Sequence, residues 1–106
     1  MGKNKTDSYI LKESDRKSKK WEIITPKGKS IHFGGKGYSD FTIHKDLERK
    51  ESYIARHKKN DQNWKKSGIN SAGFWSRWLL WNKPGIRLSI HDIEKRFSIK
   101  IIKRRD

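Results

Sequence analysis

Cysteine is absent from this chain, which excludes disulfide staples and any zinc site built on thiolates. Valine is absent as well, and acid is scarce, with 12 Asp and Glu against 27 Lys and Arg. No stretch is apolar for long enough to span a bilayer or to serve as a signal segment. We therefore expect a soluble protein without a membrane partner, kept in the compartment where it is made or packaged from there. What remains for a core is thirteen isoleucines and twelve aromatic rings. Few residues must each supply a large buried area, which suits one compact α+β domain better than a large sheet.

The formal net charge of +15 is the most informative quantity in the sequence. A surplus this large repels itself in the folded state and is tolerated where a polyanion neutralises it. Nucleic acid is the first candidate partner, with anionic membrane or an acidic protein surface as rivals. Solubility alone would need a net charge of only about 2–8 in a small domain.

The core should centre on Ser71 to Trp81, which holds three of the five tryptophans. As a helix it pairs Phe74 with Trp78 and Trp75 with Leu79 at spacings of four and sets Trp81 beside Trp78. Apolar rings then cover most of its circumference, and such a helix must be buried. Ser71 fits an N-cap, and Asn82-Lys83-Pro84 is a stop signal.

Along the chain, residues 1–8 read as a disordered basic arm and 9–102 as the domain. Tyr9 to Leu11 reads as a first strand, followed by Glu13 to Lys20 as an exposed connection or a flexible arm. Trp21–Thr25 and Ser30–Phe33 flank Pro26-Lys27-Gly28-Lys29 and predict a hairpin, with Trp21, Ile23 and Thr25 on one face and Ile31 and Phe33 alternating across the turn. Gly34-Gly35-Lys36-Gly37 is either a phosphate-cradling loop or a plain glycine turn; it lacks the P-loop pattern. Asp40 or Thr42 should cap a helix from Ile43 to about Lys59. Its wheel gathers Lys45, Arg49, Ser52, Arg56 and Lys59 in one stripe, with Leu47 and Ile54 on the packing side. That stripe is an anion-binding face or an ordinary solvated one.

Lys65 and Lys66 lie in a polar loop with Trp64, which either plugs the core edge or offers a stacking face for a base. After Pro84, the run Ile86, Ile90, Ile93 and Phe97 predicts an amphipathic helix, with Asp92 paired to Arg96. Ile99, Ile101 and Ile102 predict a terminal strand that could join the hairpin. Residues 103–106, with Lys103, Arg104 and Arg105, read as a mobile basic tail.

Phe33 to Thr42, then His44-Lys45-Asp46, Arg49-Lys50, Tyr53, Arg56-His57-Lys58, Ala72 to Asn82 and Pro84 resemble a family of small basic proteins encoded by large double-stranded DNA viruses of algae and protists. The likeness covers residues from about 20 to 97. It implies a viral source and a place in the virion, with the host cytoplasm or nucleus as the site of action during infection. It carries over no catalytic residue. The family often has proline after His-Lys-Asp, where this chain has Leu47.

Catalytic constellations are poor. His32, His44, His57 and His91 show no metal-binding spacing, and Asp40 with His44 is the one neighbouring pair a nuclease could use. We therefore expect no enzyme, no metal and no cofactor. The sequence predicts an α+β domain, a small antiparallel sheet packed with three helices, that binds nucleic acid through phosphates without sequence preference, DNA ahead of RNA. Its expected contacts are Lys36, Lys45, Arg49, Arg56, Lys59, Lys65, Lys66, Lys103, Arg104 and Arg105. The alternative is a minor capsid or scaffold protein docking on acidic surfaces of viral structural proteins.

Overall fold

The computed structural model describes residues 7–59 and 62–104. Strands β1 (Ser8–Glu13), β2 (Lys19–Ile24) and β3 (Ser30–Gly35) run as an antiparallel meander, with Leu11 beside Ile23 and Ile23 beside Ile31. The predicted hairpin turn closes through the Thr25 N–H to Lys29 O at 2.8 Å. Gly28 takes φ +88° there, a left-handed conformation that suits glycine.

Strand β4 (Lys100–Lys103) completes the order β3-β2-β1-β4 and lies parallel to β1, with Tyr9 beside Ile101. The sheet is thus mixed rather than wholly antiparallel, and the last strand joins the first instead of the hairpin's free edge. A helix precedes β4 and returns the chain across the sheet, so it enters alongside β1 in the same direction. The expected arm through Thr6 and the residues from Arg105 onward lie outside the described residues. Ser8 already belongs to β1 and Lys103 to β4, and the Arg104 N–H donates to Leu11 O at 2.7 Å. The basic tail is therefore held to the sheet through residue 104.

The helical half comprises α1 (Phe41–His44), α2 (Leu47–Lys59), a 3₁₀ turn (Lys66–Gly68), α3 (Ala72–Trp75) and α4 (Ile86–Phe97). The helix expected from Ile43 to Lys59 is broken. Lys45 takes φ 57° and closes α1 with its N–H on Phe41 O. The chain restarts at Leu47 under the Asp46 carboxylate, which accepts the N–H groups of Glu48 at 3.0 Å and Arg49 at 3.4 Å. Lys45 is therefore not part of the α2 stripe. Asp40 caps α1, accepting the Thr42 N–H at 2.9 Å.

The tryptophan segment forms the core as expected, but not as a plain α-helix. Ser71 caps α3 by accepting the Phe74 N–H at 3.2 Å, and the segment runs on as a π-helical turn, Ser76–Leu80. The Trp81 N–H reaches Ser76 O, five residues back. Phe74, Trp75, Leu79 and Leu80 pack against Leu11, Ile23 and Phe33 of the sheet and Ile90 and Ile93 of α4. The Trp75 indole N–H donates to Ile69 O at 2.7 Å, so its polar edge is satisfied where the ring is fully enclosed. The wide π turn separates Trp78 from Trp81: Trp78 meets Phe97 at 5.4 Å between ring centres, whereas Trp81 turns to α2.

Trp64 is half-buried against the core, with its carbonyl accepting the Trp78 indole N–H at 2.9 Å, and so plugs the core edge. Among the described residues no helix is long and apolar enough to cross a membrane. Trp75→Ala should lower stability by about 3–5 kcal/mol in chemical denaturation, as expected for emptying a close-packed site. A variant as stable as the parent would mean that this helix is peripheral.

Candidate functional site

Helix α2 meets the body of the protein through one aromatic ring. Tyr53, its buried residue, lies flat on Trp81, with centroids 4.4 Å apart and planes 4° from parallel. His57 stacks on Tyr53 at 4.0 Å, and the Lys50 ammonium donates to Asn82 O at 2.7 Å while standing 5.0 Å over the Phe41 ring. Lys50, Tyr53, Ile54 and His57 thus form the inward face at helical spacing. Of the packing pair expected at Leu47 and Ile54, Ile54 does lie on the inward face, half-buried, whereas Leu47 is 64% exposed; the main contact is a ring stacked on the flat indole rather than an aliphatic chain. Burial pushes the Tyr53 phenol up to about 12, against the opposing pull of Arg77 and Arg56. Burial also lowers the Lys50 ammonium, helped by Arg77 and Lys83.

This mooring leaves Arg49, Ser52 and Arg56 along one wall of a cleft of ≈ 880 Å³. The end of β3 and the glycine loop, with Gly34, Gly35 and Tyr38, line it as well, and Ser76, Leu80 and Trp81 complete it. Gly34 has φ +78°, a left-handed conformation that strains other residues, and a Cβ there would lie 2.8 Å from Leu80 Cδ1, so glycine suits this approach of the strand end to the π turn. A Cβ on Gly35 would meet the Tyr38 ring at 2.7 Å. That ring rests on the glycine and is 76% exposed.

Four bases (Lys19, Lys20, Arg49, Arg56) and three acids (Asp40, Asp46, Glu48) line the cleft. Asp40, 1% exposed, is neutralised by Lys20 at 2.7 Å, and Asp46 is tied to the α2 amides. Lys19, Arg49 and Arg56 remain against Asp46 and Glu48, and among the described residues neither arginine makes an ion pair.

Two sequence signals, the α2 stripe and the glycine loop, therefore meet in one cleft, but other expected contacts do not. The Lys36 N–H is engaged by Ser18 O of the β1–β2 turn and the Tyr38 N–H by Gly35 O, so two of the loop's amides are already committed within the fold. The Lys36 side chain borders a smaller hollow with Trp21 and Thr42. Lys45, Lys59, Lys65 and Lys66 are exposed and lie outside the cleft's lining. Lys103 ends β4 and Arg104 follows it, at the opposite sheet edge from β3, about 14 Å of sheet width away. Arg105 lies outside the described residues. Asp40 is bound by Lys20 and both the N–H and hydroxyl of Thr42, while His44 Nδ1 accepts the Asp46 N–H at 2.9 Å. Asp40 and His44 share no side-chain hydrogen bond among the described residues. Lys19, Lys20 and Tyr38 were not foreseen; the alternation along β2 marks Lys20, but nothing local marks Tyr38.

The chain is similar to a family of unknown function, DUF5754, over residues 9–57, which takes in the sheet's first three strands, the glycine loop and most of α2. No curated protein and no solved structure matches it.

The α2 mooring has a pH signature. Above about pH 10 the unfolded chain gives up a phenol proton that folded Tyr53 retains to about 12, so stability should fall across that window. Burial beside Asp7 also raises the Tyr9 phenol, so spectrophotometric titration should show two tyrosines ionising above the usual range, and Tyr53→Phe should remove the step near 12. A parent whose tyrosines all ionise together near 10 would contradict the stacked, enclosed ring.

Proposed function

We propose that this protein binds nucleic acid largely through phosphates, without sequence preference, and that the cleft between α2 and the glycine loop is its principal contact. The observation that carries the reading is the placement of Arg49 and Arg56, without ion-pair partners among the described residues, opposite a glycine-rich strand end in a chain of net charge +15. Arginine forks suit phosphate oxygens, and glycine lets a backbone strand come close. Tyr38 adds an exposed ring at the same cleft, a surface on which a base could stack without sequence discrimination. The resemblance to proteins of large DNA viruses favours DNA over RNA and a genome-associated place in the virion.

A second reading, a structural virion protein docking on another protein, is favoured by one observation. Ile24, Ile10 and Ile102 form a cross-strand row on the sheet face away from the helices, and Ile102 is 46% exposed.

Fluorescence anisotropy with a random duplex over a salt series separates the two. Log affinity should fall linearly with log salt, and Arg49→Gln with Arg56→Gln should shallow the slope by about 2 without lowering the melting temperature much. Lys103→Gln with Arg104→Gln, at the far sheet edge, should change it less. No binding to duplex or single strand by micromolar protein at about 50 mM salt would sink the nucleic-acid reading and leave the protein-docking one.

A further inference from the structure

One group of matched side chains lies away from the cleft, where the β1–β2 turn folds onto the sheet. Glu22 of β2 and His32 of β3 stand opposite each other in the antiparallel register, so the ladder fixes both. Glu22 is 7% exposed, yet among the described residues no hydrogen bond reaches its carboxylate. His32 Nε2 lies 3.8 Å from it, beyond hydrogen-bond reach, and Lys12, its cross-strand partner on β1, makes no ion pair with it among the described residues. The far ring nitrogen of His32, Nδ1, lies 2.7 Å from Ser14 Oγ, which also accepts the Arg16 N–H at 3.0 Å. Asp15 follows Ser14 in that turn, and the ligating atoms of Asp15, Glu22 and His32 all lie within 4.8 Å of one another.

We propose that Asp15, Glu22 and His32 bind one first-row divalent transition-metal ion, with Zn²⁺ and Mn²⁺ the best-matched probes. Two carboxylate oxygens and one imidazole nitrogen are a donor set for such ions. The imidazole makes the set less suited to Mg²⁺ or Ca²⁺, which take oxygen ligands. Two carboxylates gathered at one point are stabilised by a cation between them, and no Lys or Arg reaches Glu22 within ion-pair distance among the described residues. Ser14 plays the outer part familiar at metal sites: with Nδ1–H donated to its hydroxyl, the Nε2 lone pair faces the two acids. Bonds of about 2.0–2.2 Å bring donor atoms to roughly 3–3.5 Å apart, so the cluster must tighten by about an ångström. That closure falls on Asp15, which is exposed and sits in the turn rather than in the ladder. The bound ion would pin the β1–β2 turn to two strands and keep at least one coordination position for water.

A proton on His32 would balance the same charges, and the experiment must separate the two cases. The tag-free full chain, stripped with EDTA, is titrated calorimetrically with ZnCl₂ and with MnCl₂. The expected result for at least one ion is a one-to-one isotherm and a melting temperature that rises with metal concentration. Ser14→Ala should weaken binding about 10–100-fold. His32→Gln and Glu22→Gln should abolish it. Asp15→Asn, in the exposed turn, should lose at least tenfold in affinity while melting like the parent without metal, so the test survives if Glu22→Gln fails to fold. The proposal is overturned if the parent binds neither ion, leaving the proton as the only cation. It is also overturned if Asp15→Asn and Ser14→Ala titrate like the parent, which would move the metal to another histidine.

Discussion

The contact between Trp81 and Tyr53 holds the two walls of the cleft in place. Helix α2 has 13 residues, most of them charged or polar, and buries only Tyr53 fully. A helix of that length and composition is marginal alone. Its position is set by the flat stack on Trp81 at 4.4 Å, the Lys50 hydrogen bond to Asn82 O and the His57 ring behind Tyr53. Trp81 is presented for that stack by the π turn, whose extra residue swings it away from Trp78. The same turn brings Leu80 against Gly34, so one local irregularity positions both the helix and the glycine loop.

Charge is accommodated by ring faces as well as by acids. Twelve acidic residues cannot pair 27 basic ones, and among the described residues two of those lysines and arginines, Lys20 and Arg96, make ion pairs. Cations instead lie over aromatic rings: Arg77 and Arg96 over Trp78, Arg77 also over Trp64, Lys50 over Phe41 and Lys103 over Trp21. Such contacts occur roughly once per 70–80 residues in proteins at large, so five in one small domain mark a device rather than chance. The rings that build the core thus seat part of the positive surface. Among the described residues Arg49 and Arg56 have neither an acid in an ion pair nor a ring beneath them, which is why the cleft between them and the glycine loop stands out.

Elements written in local periodicity were legible in the sequence. The hairpin around Gly28, the buried aromatic helix capped by Ser71 and the Ile90–Ile93 face of α4 all follow from spacing within a few residues. The π turn did not show, because a segment apolar on nearly every side gives no phase against which an extra residue could be detected. The break at Lys45 also escaped: a lysine at positive φ carries no glycine signal, and its cause is the pair of caps at Asp40 and Asp46. Non-local pairing was the other blind spot. The parallel register of β4 with β1 and the meeting of Asp15, Glu22 and His32 depend on strand alignment that no local pattern encodes. Of the candidate contacts, the arginines on α2 and the glycine loop were readable singly. Their convergence, and the separation of Lys103 and Arg104 to the other sheet edge, are properties of the fold.

The central claim is that the α2 wall and the glycine loop form one anion-binding surface. Backbone amide shifts recorded by heteronuclear NMR during titration with a short duplex DNA test it most directly. The account predicts that the largest changes gather at Gly34, Gly35, Arg49, Ser52 and Arg56, diminishing as salt is raised. Changes centred on Lys103 and Arg104, or spread evenly over every exposed lysine with the cleft silent, would contradict it.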